Sequence, residues 1–238
     1  MLRRGVFGHS GFGILSSLEL SHSSFLVALM KSPKIVVFDL GKVLVDFDYS
    51  IAARKIAARS TMSLDGICGF IGESDITVKY EAGSVTRREF FEQARQAIGF
   101  HGTFEEFGEF FADIFTEIPP MIELHAALRR RGVRTYIFSN TNDLAIEHIR
   151  RNFPFFKNFD GYIFSCEIGA LKPDAKIYEA LEKLAGRRGA EIVYLDDRPE
   201  NAAAGAARGW RAILHESPEK SRAAVENTGL FAKMQEPT

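Results

Sequence analysis

The chain has little cysteine, no long hydrophobic run and almost no net charge. Its 238 residues include two cysteines, Cys68 and Cys166, which lie far apart, so we predict neither a disulfide framework nor a cysteine zinc site. No apolar run approaches the ~20 residues that a membrane-spanning helix needs. The net charge of −1 gives no basis for a nucleic-acid-binding surface. We therefore expect a cytoplasmic protein that binds neither nucleic acid nor membrane; the sequence indicates no particular oligomeric state.

The N-terminal segment differs in composition from the rest of the chain. It is rich in serine and glycine, begins with two arginines, and has Glu19 as the only acid among its first 30 residues. A signal or transit peptide has this basic character, but His9, Glu19 and His22 interrupt any clean apolar segment. We expect residues 1–33 to form a disordered extension, with Met30 as an alternative start.

Short apolar segments alternate with helical patterns from residue 34 onward. Five segments have the β-branched or aromatic character of buried strands: 34–38, 134–139, 161–166, 191–195 and 211–215. Between them, four segments have prolines, caps or glycines at the ends expected for helices: 119–132, 142–153, 172–186 and 198–209. This alternation predicts an α/β fold, a Rossmann-like doubly wound parallel sheet with helices on both faces.

One region departs from the alternation. Residues 49–118 show helical periodicity and no convincing strand. Phenylalanines recur there at helical spacing, as at Phe104, Phe107 and Phe111, which is typical of a buried core. We therefore predict a helical domain over 49–118, inserted after the first strand of a core that comprises 34–48 and 119–238.

Polar side chains follow the predicted strands. Asp39 follows the first, Ser139 ends the second, Lys172 comes shortly after the third, and Asp196 and Asp197 follow the fourth. Each has an ordinary explanation alone, such as a turn, a helix cap or a solvated charge. Because ligands bind at the carboxyl ends of strands in an open parallel sheet, we expect these side chains to converge.

The converging groups are typical of metal-assisted phosphoryl transfer. Three carboxylates at one sheet edge repel each other unless a cation is present, and Asp39, Asp196 and Asp197 offer the oxygen ligands that Mg²⁺ prefers. Ser139 and Lys172 supply the hydrogen-bond donor and the positive charge that a phosphoryl group needs. The set predicts a carboxylate nucleophile and an aspartyl-phosphate intermediate.

Four segments resemble, in order and spacing, the motifs of the haloacid dehalogenase superfamily: "VVFDLGKVL", "IFSNTN", "LKPD" and "YLDDRPEN". The helical insert resembles that superfamily's C1-type cap. The "DLG" form of the first motif and "YEAGSVTRREFF" (80–91) are similar to the α-glucose-1-phosphate phosphatase-like branch. The resemblance implies a Mg²⁺-dependent phosphatase of small phosphorylated metabolites, with sugar phosphates such as hexose 1-phosphates among its candidate substrates.

The resemblance also implies a role for each residue that would touch the phosphoryl group. Asp39 would be the nucleophile that attacks phosphorus. Ser139 and the backbone N–H of Asn140 would hold the phosphoryl oxygens. Lys172 would neutralise charge on both Asp39 and the phosphate.

A second set of implied roles concerns the metal. Asp39 and Asp196 would ligate Mg²⁺ directly, and Gly41 would offer its backbone carbonyl. Asp197 would act through a bound water or by orienting its neighbours. Asn201 lies where some members carry a further acid, and we assign it an indirect role at most.

Gly41 departs from the usual phosphatase motif, which has an aspartate there as general acid and base. Such catalysis contributes ~10²–10⁴-fold, and three explanations for its loss stay open. Asp46 or Asp48 replaces it, although we prefer to interpret these as solvated loop acids. Alternatively, the substrate has a good leaving group, as sugar 1-phosphates do, or the protein releases halide, as the superfamily's dehalogenases do. The intact Asp196–Asp197 pair favours a phosphatase.

The same departure leaves a non-enzymatic alternative. Loss of the acid at Gly41 also fits a catalytically weak protein that binds phosphate for regulation. The role of Lys42 is open as well, since it either adds positive charge at the phosphate or points into solvent. His125 and His148 lie in helical patterns, and we interpret both as structural.

Overall fold

The computed structural model describes residues 32–231, so nearly all of the predicted N-terminal extension lies outside the described residues. Seven strands follow in chain order: β1 (Ile35–Phe38), β2 (Val45–Phe47), β3 (Phe115–Glu117), β4 (Arg134–Ser139), β5 (Gly161–Phe164), β6 (Ile192–Asp196) and β7 (Arg211–Leu214). Five of them form a parallel sheet in the order β5-β4-β1-β6-β7. The predicted α/β fold with a Rossmann-like parallel sheet is confirmed.

Eleven α-helices connect these strands within the described range. Five lie in the predicted insert: α1 (Tyr49–Ala57), α2 (Leu64–Glu73), α3 (Asp75–Glu81), α4 (Arg87–Ile98) and α5 (Phe104–Ala112). Six follow it: α6 (Pro119–Arg130), α7 (Asp143–Asn152), α8 (Ser165–Ile168), α9 (Ala175–Ala185), α10 (Pro199–Ala207) and α11 (Pro218–Glu226). None of these helices has the length and apolar character that a membrane crossing requires.

Strand β1 is the centre of the sheet, and its sequence explains why. All four of its side chains are fully buried, as expected for a strand covered by helices on both faces. Val36 and Phe38 pack into the hydrophobic cluster on one face, whereas Ile35 and Val37 pack into the cluster on the other. The alternation of side chains along a strand thus supplies both halves of the core.

The register of the sheet brings the predicted site residues to one edge. Phe38 pairs with Leu195 on one side and with Ile137 on the other. The residues that follow these positions therefore meet at the carboxyl edge, and Asp39 comes to lie beside Asp196.

The predicted absence of strands from 49–118 is wrong at its end. Helix α5 stops at Ala112, and β3 pairs antiparallel with β2, which precedes the insert. The two segments that link the insert to the rest of the chain therefore run side by side. Their pairing satisfies backbone groups that would otherwise lack partners. The division of the chain into a core and a cap stays a prediction.

The phenylalanine stripe forms the core of the insert. Phe90 and Phe107 are almost completely buried, and their ring centroids lie 5.8 Å apart. Phe111 packs against both rings, at 5.1 Å from Phe90 and 5.9 Å from Phe107. The interpretation of this stripe as core is confirmed, and Phe111 in addition lines the cavity described below.

His125 on α6 makes the stability of the fold sensitive to pH. Its ring stacks on Phe159 and hydrogen-bonds the Thr135 hydroxyl, and burial, aided by the Arg129 charge, lowers its pKa from 6.5 to about 4. The unfolded chain therefore binds a proton that the folded chain does not. We expect the contribution of His125 to the unfolding free energy to fall by about 2 kcal/mol between pH 7.5 and pH 5.

Urea denaturation of the wild type and His125→Gln at both pH values measures this effect. The difference in unfolding free energy between the two proteins should shrink by about 2 kcal/mol at pH 5, because glutamine does not titrate. An equal difference at the two pH values would contradict a buried neutral histidine.

Candidate active site

Three carboxylates gather at the carboxyl edge of the sheet. Asp39 follows β1, Asp196 ends β6, and Asp197 is the next residue. One oxygen from each lies within 4.8 Å of the others. Asp196 is fully buried and Asp39 is 7% exposed, so little water screens their mutual repulsion.

Lys172 lies between two of these carboxylates. Its Nζ is 2.6 Å from Asp196 Oδ2 and 3.1 Å from Asp39 Oδ2, and it also donates to the Phe138 carbonyl at 2.9 Å. The lysine is therefore buried with all three of its donor positions used. The predicted convergence of Asp39, Lys172, Asp196 and Asp197 is what the structure shows.

The Asn140 side chain fixes the position of Lys172, which we did not anticipate from the sequence. Its Nδ2 donates to the Lys172 carbonyl at 3.0 Å, and its Oδ1 accepts from the Lys172 N–H at 2.7 Å. These two bonds hold the backbone of the segment around Lys172, which comes after β5, against Asn140, which follows β4. The prediction had considered only the backbone N–H of Asn140. The preference of asparagine side chains for backbone partners was the available signal.

Hydrogen bonds also fix the orientation of Asp196. Its Oδ1 accepts from the Arg198 N–H at 2.9 Å and from Asn201 Nδ2 at 3.1 Å. Its Oδ2 accepts from the Tyr194 hydroxyl in addition to Lys172. Asn201 thus acts on the carboxylate beside it, which fits the indirect role predicted for it.

The charge of the cluster is only partly compensated. Burial raises the pKa of Asp39 to about 7, and the Asp196 charge adds to the rise while Lys172 opposes it. Burial also opposes ionisation of Asp196, but Lys172 and the hydrogen bonds to Asp196 hold its pKa below the usual value. Burial and the neighbouring Asp196 raise the pKa of Asp197. A small divalent cation would offset this repulsion, so the oxygen donors present fit Mg²⁺.

A cavity of about 330 Å³ opens over the cluster. The predicted site residues Asp39, Ser139, Asn140, Lys172 and Asp197 line it. Gly41 lines it as well, whereas Asp196 supports these residues from behind. Ser139 is 2% exposed. All the predicted site residues therefore belong to one cavity and the buried cluster beneath it.

A phenylalanine occupies the space beside Gly41. A Cβ on Gly41 would lie 2.9 Å from Cε1 of Phe47, closer than packed carbon atoms approach. The Phe47 ring is itself held by Tyr49 and Phe115, at centroid distances of 5.0 and 6.3 Å. An aspartate at position 41 would require this ring to move.

Lys42 lines the same cavity, whereas Asp46 and Asp48, beyond the turn, have local partners. Lys42 forms an ion pair with Asp46 and lies 4.4 Å from the Phe47 ring centroid. Asp48 caps α1 by accepting from the Ser50 N–H at 2.8 Å. These contacts favour the interpretation of Asp46 and Asp48 as loop acids, and Lys42 extends over the ring that fills the space beside Gly41.

The insert contributes residues that sequence analysis did not assign to the site. Tyr49 from α1 and Val78 and Glu81 from α3 line the same cavity as Asp39. Burial raises the pKa of Glu81 to about 7. Glu81 lies in the "YEAGSVTRREFF" segment that resembles the superfamily's cap, but its distance from Asp39 along the chain gave no sign that both line one cavity.

A parallel sheet with three carboxylates and a lysine at its carboxyl edge forms an acidic site whose oxygen donors suit a divalent cation. A family model described as haloacid dehalogenase-like hydrolase matches residues 33–209. The chain therefore belongs to the haloacid dehalogenase-like hydrolases, as its four motifs predicted.

Two similar proteins are phosphatases by name. The chain is 27% identical over 179 residues to the sesquiterpene phosphatase astK of Aspergillus oryzae, a match covering 74% of this chain and 86% of that protein. It is 24% identical over 190 residues to the D-ribitol-5-phosphate phosphatase of Bacteroides thetaiotaomicron, covering 77% and 92%. It is also 25% identical over 201 residues to mouse acyl-CoA dehydrogenase family member 10, but spans 18% of that longer protein.

A solved structure shares the fold. It is a HAD family enzyme from Bacteroides thetaiotaomicron, crystallised with magnesium and inorganic phosphate. It matches with a TM-score of 0.68 and 23% identity, and the match covers 76% of this chain and 93% of that chain. The agreement supports the same sheet topology in both proteins.

Proposed function

We propose that this chain is a Mg²⁺-dependent phosphatase of small phosphorylated metabolites, with sugar phosphates such as hexose 1-phosphates as a candidate class. One observation carries the proposal. The Lys172 ammonium contacts both Asp39 and Asp196 at the base of a cavity lined by Asp197 and Ser139. A nucleophilic carboxylate, a fixed positive charge and a hydroxyl donor are the groups that phosphoryl transfer requires.

In this mechanism Asp39 attacks phosphorus and forms an aspartyl-phosphate. The Ser139 hydroxyl and the Asn140 N–H hold the phosphoryl oxygens, and Lys172 balances the negative charge on Asp39 and the phosphate. Lys172 is pre-positioned by the two hydrogen bonds to Asn140 and by Asp196. Its charge therefore needs no rearrangement when the substrate arrives.

The metal would be held by Asp39, Asp196, Asp197 and the Gly41 carbonyl. When bound, Mg²⁺ supplies positive charge that stabilises the phosphoryl oxygens during transfer. The fit of the acidic donor set supports this assignment, as do the phosphatase relatives and the magnesium complex of the fold neighbour.

The cavity favours a small substrate. Its volume of about 330 Å³ lies at the lower end of the ~300–1,000 Å³ typical of small-molecule pockets. The insert residues that line it, including Tyr49 and Glu81, would contact the part of the substrate beyond the phosphate. We infer that these residues contribute to the choice of substrate.

A panel assay tests the proposed function. The purified protein with Mg²⁺ is offered phosphorylated metabolites, including hexose 1-phosphates, and released inorganic phosphate is measured; a parallel arm measures halide release from 2-haloacids. Phosphate release confirms the phosphatase. Halide release without a Mg²⁺ requirement would instead identify a dehalogenase. Binding of a phosphate mimic without any turnover would identify a phosphate-binding protein.

A further inference from the structure

The position that usually supplies the general acid is a glycine in this protein, and an aromatic ring lies beside it. Gly41 has no side chain, and the Phe47 ring occupies the space that an aspartate would need. Asp46 and Asp48 are committed to Lys42 and to the cap of α1. A protein that hydrolyses ordinary phosphate esters therefore needs its proton donor from elsewhere in the cavity.

We propose that Glu81, at the end of α3 in the insert, is the general acid and base of this active site; the inference rests on the proposed phosphatase function. Glu81 lines the cavity together with Asp39, Ser139 and Lys172. Among residues 32–231, no hydrogen bond or ion pair engages its carboxyl group. The group is therefore available to a substrate rather than committed to the fold.

The backbone of Glu81 is tied to the loop that would bind phosphate. Its carbonyl accepts a hydrogen bond of 2.6 Å from the Ser165 hydroxyl. The oxygen of that hydroxyl accepts from the Thr141 N–H at 2.9 Å, and Thr141 lies one residue after Asn140. Two hydrogen bonds thus connect the backbone of Glu81 to the loop after β4, which contains the residues proposed to hold the phosphoryl oxygens.

Residues on either side of Glu81 dock the same segment onto the rest of the protein. The Tyr80 hydroxyl hydrogen-bonds Asp143, and Arg87 Nε donates to the same carboxylate at 2.8 Å. Gly83, with φ +68°, passes so close to Cys166 that a Cβ would lie 2.2 Å from its carbonyl oxygen. The close approach of Gly83 to Cys166 and the two hydrogen bonds to Asp143 hold this segment in place. A catalytic carboxyl group needs such a fixed position.

The protonation state of Glu81 suits the role. Burial raises its pKa to about 7, against an opposing effect of the Arg198 charge, so a large fraction holds a proton near neutral pH. Such a group can both donate and accept a proton at that pH. Tyr49 is the other hydroxyl or acid that the insert brings into this cavity. Its pKa is raised to about 12, which makes it a poor proton donor and leaves almost none of it ionised to accept a proton near neutral pH.

The proton balance of the two steps is as follows. A carboxylate oxygen of Asp39 attacks phosphorus, the bond from phosphorus to the leaving oxygen breaks, and the Glu81 proton moves to that oxygen. The alcohol departs, leaving aspartyl-phosphate and ionised Glu81. Water then attacks phosphorus and gives its proton to Glu81, and the bond to Asp39 breaks. Inorganic phosphate leaves, and both carboxyl groups return to their starting states.

Substrates with different leaving groups test this role. Wild type and Glu81→Gln are compared on benzyl phosphate, whose alkoxide needs a proton, and on dinitrophenyl phosphate, whose phenolate does not. We expect kcat/KM of the variant to fall by ~10²-fold on benzyl phosphate and to be nearly unchanged on dinitrophenyl phosphate. Its kcat should fall on both esters, because Glu81 is no longer present as the base for hydrolysis of the aspartyl-phosphate. Dinitrophenolate should therefore appear in a burst, followed by slow turnover.

Glu109→Gln is the matched control, since Glu109 is an exposed carboxylate of the insert outside this cavity. It should behave as wild type on both esters, and circular dichroism and urea denaturation check that Glu81→Gln is folded. Equal losses of kcat/KM on both esters, no loss of kcat/KM on either, or a wild type active only on dinitrophenyl phosphate would overturn the role of Glu81. A wild type that releases phosphate neither from these esters nor from the metabolite panel would overturn the phosphatase function itself, and the Glu81 role with it. If only a panel metabolite is hydrolysed, kcat/KM of Glu81→Gln on that metabolite replaces the benzyl phosphate arm, and an undiminished value overturns the role.

Discussion

Replacing Asp39 with asparagine is expected to lower kcat for phosphate-ester hydrolysis by at least ~10⁴-fold, the scale on which enzymes lose activity when a covalent nucleophile is removed. Asparagine keeps the size of the side chain but cannot form an acyl-phosphate. Because Asp39 is buried beside Asp196 and Lys172, no solvent-exposed carboxylate can take its place. Inorganic phosphate release at saturating substrate measures the effect.

Asp48→Asn is the matched control for this variant. Asparagine caps a helix as well as aspartate does, so α1 should keep its N-terminal contact with Ser50 and activity should stay at the wild-type level. Acid-quenched wild type should carry a phosphoryl group on the peptide that contains Asp39. Undiminished turnover by Asp39→Asn would refute the nucleophile assignment. A large loss in Asp48→Asn would instead return Asp48 to the list of candidate acids.

Removal of Mg²⁺ is expected to lower the rate by about 10³-fold or more, because a metal ion supplies several kcal/mol of charge stabilisation in phosphoryl transfer. The physical reason is the cluster of three carboxylates within 4.8 Å, which a single lysine only partly neutralises. Assays after EDTA dialysis, with and without added Mg²⁺, measure the loss and its recovery. Added Mg²⁺ should also raise the melting temperature, since it binds the folded state.

Asp197→Asn provides a graded control for the metal prediction. It removes one oxygen donor at the rim of the cluster and should raise the Mg²⁺ concentration needed for half-maximal activity without abolishing turnover. Turnover that is unaffected by EDTA would contradict a metal-dependent phosphatase. Such a result, together with halide release, would favour the dehalogenase alternative.

Strong local patterns made most of the core predictable. The second predicted strand matches β4 at both ends, and α9 begins after Asp174 and ends before Gly186, as its capping signals indicate. The pair β2 and β3 could not be seen in the same way. Each has three residues, and their burial is mixed, so neither shows the alternation that identifies a strand. Their pairing arises from the closure of the insert, which is a non-local event.

The site residues, like the strands, differ in whether local sequence patterns predict them. Asp39 and Asp196 follow predicted strands and Lys172 begins the next predicted helix after a third strand, and a parallel sheet brings such strand ends together. The sequence could not show that Phe47 fills the space beside Gly41 or that Glu81 reaches the cavity. Both contacts depend on how the insert packs, and that packing depends on tertiary contacts such as Tyr80 with Asp143. Local periodicity carries no information about them.

The contact between Gly41 and Phe47 makes two positions of the sequence interdependent. Gly41→Asp alone would place its Cβ 2.9 Å from the ring, and Phe47→Ala alone would leave a void among Tyr49 and Phe115. Only the double replacement provides both the acid and the room for it, so the effects of the two changes should not add. The side chain that fits at position 41 therefore depends on the residue at position 47.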